Sequence, residues 1–132
     1  MKKILLTLIF SLSFPAYAEW DLIYKDATIK SEYFMNLVNY KKNGDMVRAW
    51  TLENFLELQK TEGLEYYSVK SFVEFNCKVT GLRILAYSLY EKNMGKGKAI
   101  FSKGSPLGWL PIGKNTVFSS YSQIICAESN LE

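Results

Sequence analysis

Histidine is absent from the 132 residues. Its absence removes every Ser-His or Cys-His nucleophile pair and every His-ligated metal site. Cysteine is scarce: only Cys77 and Cys126 occur, too few and too far apart for a thiolate metal cage. No internal repeat and no low-complexity tract is found. A large charge of one sign is missing too, with 16 Lys+Arg against 13 Asp+Glu. Nothing in that balance draws the chain to nucleic acid. Neither a metal nor a cofactor is expected, and enzymatic activity is not.

Long apolar runs are also lacking, with one exception at the start. Lys2 and Lys3 precede an apolar stretch from Ile4 to Phe14, and Ala16-Tyr17-Ala18 follows. A basic head, a short apolar run and a small-x-small site form a secretory signal, read as residues 1–18 with cleavage before Glu19. The run is shorter than the about 20 residues a spanning helix needs, so no membrane span is expected. No cysteine follows it to take a lipid. Export to the periplasm or the medium is the expectation. Without Lys2 and Lys3 the balance is 14 to 13, a net charge of +1. The mature chain, 19–132, suits one domain. In an oxidising compartment Cys77 and Cys126 are expected to pair.

What is present is aromatic and alternating, with nine Tyr, eight Phe and three Trp. In EYYSVKSFVEFNC, Tyr67, Val69, Ser71, Val73, Phe75 and Cys77 fall on one face of a strand. LRILAYSLY (82–90) reads as a second strand, with Leu82, Ile84, Ala86, Ser88 and Tyr90 alternating against Arg83, Leu85, Tyr87 and Leu89. Upstream, 20–24 and 32–40 read as strands, and Asn43-Gly44 signals a hairpin into 46–52. The segment 52–60 is open between a short helix and strand, with Thr51 as a candidate N-cap. AIFSK (99–103) precedes a Gly/Pro-rich stretch where Pro106 and Pro111 allow only a short edge strand. In the last segment Val117, Phe118, Tyr121, Ile124 and Ile125 form one helical stripe behind Asn115 or Thr116, ending at Cys126. Strands followed by one helix give an α+β fold with an antiparallel sheet.

The glycines and lysines of NMGKGKAIF (93–101) resemble a phosphate cradle at first sight. A P-loop places Ser or Thr after its lysine and then a helix, whereas Ala99 follows Lys98 and the flanks read as strands. Gly95 and Gly97 instead suit positive φ in a connection. Lys92, Lys96, Lys98 and Lys103 are candidate contacts for an anionic ligand such as a sulfated glycan, and Trp109 is a candidate aromatic contact. The carboxylates Glu53 and Glu57 read as a solvated pair. Arg48 and Arg83 are expected to form an ion pair within the sheet, with Glu74 as the partner.

The ordered set WDLIY, WTLENFLELQ, YSVKSFVEFNC, LRILAYSLY, MGKG, GWLPI and VFSSYSQIIC resembles the bacterial surface-adhesin protein E-like domain family over about 20–126. The resemblance implies a single antiparallel sheet of about six strands. It places a C-terminal helix on the concave face, held by the disulfide. It also implies binding of host proteins, with a homodimer as a candidate assembly. The other expectation is a periplasmic accessory or structural role in the cell envelope.

Overall fold

The computed structural model describes residues 20–131, so the expected signal sequence at 1–18 lies outside the described residues. Eight strands and one helix follow in order. They are β1 (Asp21–Asp26), β2 (Ser31–Met35), β3 (Lys41–Asn43), β4 (Met46–Thr61), β5 (Leu64–Asn76), β6 (Gly81–Tyr90), β7 (Ala99–Lys103), β8 (Leu110–Pro111) and α1 (Val117–Ser129). All the strands pair antiparallel in one sheet, whose main path is β1-β2-β4-β5-β6-β7. β3 adds to β4, and β8 adds to β6. The expected count of about six is therefore corrected to eight. The two additional strands have three and two residues, too short to show an alternation in the sequence.

The open question at 52–60 resolves to strand. β4 bonds to β2 over 51–55 and to β5 over 46–54 and 59–61, so the backbone is held extended along most of this segment without a helix. Leu52 is fully buried while Leu56 is 60% exposed, so the two share no apolar surface. The strand expected over 32–40 stops at Met35. There the Asn36 side chain accepts from the Val38 and Asn39 amides, both at 2.9 Å, and turns the chain. A register shift lies in β6, where Leu85 is the extra residue between Ile84 and Ala86. The regular alternation expected for 82–90 fails at this bulge. Ile84, Tyr87 and Leu89 pair with Val73, Ser71 and Val69, so they share one face. The outward carbonyl of Ile84 accepts from the Leu107 amide at 2.8 Å, which anchors the Gly/Pro-rich stretch.

One face of the sheet, here the inner face, carries the main buried cluster. Val47 and Ala49 of β4, Val73 and Phe75 of β5, Leu82 of β6 and Met35 of β2 meet Tyr121 and Ile125 of α1. The helix begins at Thr116, whose hydroxyl accepts from the Ser119 amide at 3.1 Å. It runs on to Ser129 instead of ending at Cys126. Ala127 and Glu128 favour helix, and the Ser129 hydroxyl bonds back to the Cys126 carbonyl. Side-chain ties hold α1 besides its packing, among them the Tyr40 hydroxyl, which donates to the Glu128 carbonyl at 3.4 Å. Tyr121 donates to the Phe34 carbonyl at 3.2 Å, Lys42 reaches the Ser129 carbonyl at 3.3 Å, and Cys77 is disulfide-bonded to Cys126 with the Cα atoms 5.7 Å apart. Lys42 also places a cation at the negative end of the helix dipole.

The β4–β5 hairpin has a distinctive far end. Regular pairing stops at Asn54–Ser68 and resumes at Gln59–Tyr66. The tip turns through Glu62 and Gly63, both at positive φ (48° and 79°).

The disulfide spans 49 residues of sequence. Cys77→Ser or Cys126→Ser should cost about 2–5 kcal/mol. Thermal unfolding followed by circular dichroism should show Tm falling by roughly 10 °C or more, in the mutants and under reductant alike. An unchanged Tm would contradict this account of how the helix is held.

Candidate functional site

The opposite, outer face is built in rows. Antiparallel register sets Arg48, Glu74 and Arg83 side by side, then Trp50, Phe72 and Ala86, then Leu52, Lys70 and Ser88, then Asn54, Ser68 and Tyr90. Residues directly opposite one another project to the same side, so each row is a contact set.

The first row is the ion cluster expected from the sequence. Glu74 is buried and accepts from Arg48 Nε at 2.6 Å and Arg83 Nε at 2.8 Å, one carboxylate oxygen each. Burial pushes its carboxyl upward, but the two guanidinium hydrogen bonds and charges outweigh that and hold it below the usual range. Arg83 in turn lies 4.9 Å from the centre of the Trp109 ring. Trp109 is 45% exposed, so the candidate aromatic does face solvent.

The second and third rows form a half-exposed aromatic and cationic strip. Trp50 and Phe72 stack at 4.8 Å between centroids. Lys70 Nζ lies 4.6 Å from the Trp50 ring and 6.0 Å from that of Trp20, just before β1. Nothing in the sequence alone marks these four as site residues. Their signal is the period-2 set Arg48-Trp50-Leu52-Asn54 aligned against Glu74-Phe72-Lys70-Ser68, visible only once the hairpin register is known.

The fourth row explains the glycine-lysine stretch. The segment after β6 folds back over the outer face through the 3-10 turn Asn93–Gly95. Asn54 Oδ1 accepts from the Met94 amide at 2.8 Å and from Asn93 Nδ2 at 3.0 Å. Ser68 donates to the Lys92 carbonyl at 2.6 Å and accepts from the Gly95 amide at 2.9 Å. Gly95 and Gly97 have φ of 67° and 78°, as the connection requires, and a Cβ on Gly97 would come within 2.8 Å of the Glu91 side chain. The stretch is a strap over the sheet. Lys92, Lys96 and Lys98 lie in this strap. Lys103 is at the far end of β7, about 16 Å of extended chain from Lys98. Lys92, Lys96 and Lys98 therefore share the strap, and Lys103 stands apart from them along β7.

On the inner face a cleft of about 350 Å³ lies between the sheet and the first turns of α1. β2, β4, β5 and β6 supply its floor, and Leu107, Phe118 and Tyr121 border it. Glu53 opens into this cleft, not onto a solvated helix face beside Glu57. Glu57 is exposed and bonds Lys30 at 2.7 Å. Burial pushes the Glu53 carboxyl up, against a smaller downward pull from the Tyr33 and Ser31 hydroxyls. Ser31 Oγ makes no hydrogen bond of good geometry, so that support is weak. Among the described residues no group of His, Cys, Asp and Glu could hold a metal.

The two carboxylates should respond to pH in opposite ways. Glu74, held low, stabilises the fold above the ordinary value of 4.5, and that contribution is lost as pH falls through its lowered folded value. Glu74→Gln should cost about 2–3 kcal/mol at pH 7, read by urea unfolding, with the loss fading at strongly acidic pH. Glu53, held high, destabilises the fold as pH rises through and above 4.5. Glu53→Gln should raise Tm at pH 7, with no gain well below that value.

The profile of the family described as Surface-adhesin protein E matches residues 20–127. No curated protein sequence matches the chain. Among solved structures, protein E of Haemophilus influenzae superposes with a TM-score of 0.63 at 18% identity, covering 84% of this chain and 87% of that one. Its crystal form II gives 0.61 at 19% identity, over 74% and 82%. Protein E from the non-typeable organism gives 0.54 at 18% identity, over 86% and 80%. These likenesses establish a shared fold, and the profile covers nearly all the described residues. The chain belongs to the surface-adhesin protein E family.

Proposed function

We propose that the protein is an exported, non-enzymatic, adhesin-like binding protein that takes a protein partner on its outer sheet face. The observation that carries this reading is the half-exposed strip of Trp20, Lys70, Trp50 and Phe72, continued by Arg83 and Trp109. Tryptophan and arginine are the residue types that dominate the centre of protein interfaces, where they desolvate at low entropic cost. Here they stand on a rigid sheet with their cations already placed over ring faces, so little ordering is left to do on binding.

Family membership supports the adhesin-like class. The secretory signal read at 1–18 and the disulfide support export. No helix among the described residues is long and apolar enough to cross a membrane. The lack of histidine removes His-dependent hydrolysis, in keeping with a binding role. An anionic glycan would choose the lysine strap instead, and a second copy of the chain would bury the tryptophan strip in a homodimer.

The test is binding of the purified mature protein to immobilised extracellular matrix proteins, by surface plasmon resonance. Trp50→Ala and Trp109→Ala should each weaken binding at least tenfold, about 1.4 kcal/mol or more. A combined Lys92, Lys96, Lys98 and Lys103 to Ala variant should bind nearly as the parent does. If only the lysine variant loses binding, the partner is anionic and meets the strap. Absence of saturable binding at micromolar concentration would remove the adhesin reading. Protease accessibility on intact cells separates display outside from a role within the periplasm.

A further inference from the structure

The inner cleft takes no part in the outer-face reading. Register fixes its polar centre: Glu53 lies opposite Tyr33 on β2 and Val69 on β5, while Thr51 lies opposite Ser71. The cleft's volume of about 350 Å³ is in the range that holds small organic ligands. It persists because α1, about 20 Å long, covers only part of the sheet.

Two observations say what would fit. Glu53 has no ion-pair partner among the described residues, although its carboxylate stands in a mostly apolar cleft. A charge so placed is costly until an opposite charge meets it. The walls around it are aromatic, with Tyr33, Tyr87, Phe118 and Tyr121 all lining the same space. Ring faces attract cations and reject anions. The Tyr121 hydroxyl is already committed to the Phe34 carbonyl and its side chain is buried, so Tyr121 borders the cleft as an apolar wall and does not compete with Glu53 for a ligand's polar group.

We propose that this cleft binds a small organic cation, an ammonium carried on an apolar body, with the ammonium at Glu53 and the body against Val69, Val73 and Phe118. Burial of the empty carboxyl, which disfavours its charge, is relieved when the cation arrives. The site is independent of the tryptophan strip, which lies on the opposite face.

The test uses benzyltrimethylammonium as the probe, with 2-phenylethanol and phenylacetate as neutral and anionic comparators, titrated into the folded protein and followed by proton–nitrogen NMR. The cation should give saturable shifts at the amides of Glu53, Val69 and Val73, and should bind more tightly than either comparator. Glu53→Gln, nearly isosteric, should weaken the cation at least tenfold and leave 2-phenylethanol unchanged. Trp50→Ala should change neither. Equal or tighter binding of a comparator, an unaltered cation affinity in Glu53→Gln, shifts confined to Trp50 and Trp109, or no shifts at millimolar probe would each overturn the proposal.

Discussion

The governing constraint is a mismatch of lengths. Helix α1, the one α-helix among the described residues, spans about 20 Å, whereas β4 alone extends about 50 Å. One helix can therefore dry only part of one face, and every other region of the sheet must be satisfied differently. The well-packed zone lies where Phe75, Val47 and Ala49 meet Tyr121 and Ile125, next to the disulfide. Farther along the same face lies the cleft. Small domains are stable by only about 5–15 kcal/mol, so one covalent tie on so partial a core carries much of the balance.

The outer face solves its own problem by side-chain chemistry, without a second layer. A strap bonded to Asn54 and Ser68 covers one end. Glu74 and two arginines close the other. Between them the rings of Trp50 and Phe72 shield each other, and Lys70 lies over the Trp50 ring while keeping its charge near water. The same economy leaves aromatic surface available. The feature that makes the face stable without a cover is also what makes it suitable for a partner.

Much of this was legible in the sequence, in proportion to how local each feature is. Strand periodicity in 65–77, the capped stripe after Thr116, the cysteine pair and the Arg–Glu cluster follow from spacing and residue type. The length of β4 was not, because Leu52, Phe55 and Leu56 fit a helical face and only pairing with β2 and β5, distant in the chain, forces extension. The faces of β6 were not, because a single extra residue, Leu85, inverts the alternation without a glycine to mark it. The glycine-lysine stretch showed its positive-φ positions but not its destination, since Asn54 and Ser68 lie far away in the chain. Glu53 was hidden for the same reason as β4: its environment depends on whether the segment is a strand.

The interrupted ladder between Asn54 and Gln59 has a dynamic consequence. Beyond it, the pairs 59–66, 60–65 and 61–64 form a short ribbon, joined to the body of the sheet by a stretch of β4 that has lost its β5 partner, although Phe55 still pairs with Ser31 and the Leu56 amide donates to the Lys30 carbonyl at 3.0 Å. Such a ribbon constitutes a separate cooperative unit, able to open with a free energy well below that of the whole domain. Amide exchange at its tip then reports local fraying, while the amides around Phe75 exchange only through global unfolding. The molecule thus has a hierarchy of opening energies written along a single hairpin, lowest at Glu62–Gly63 and highest at the end where the disulfide sits.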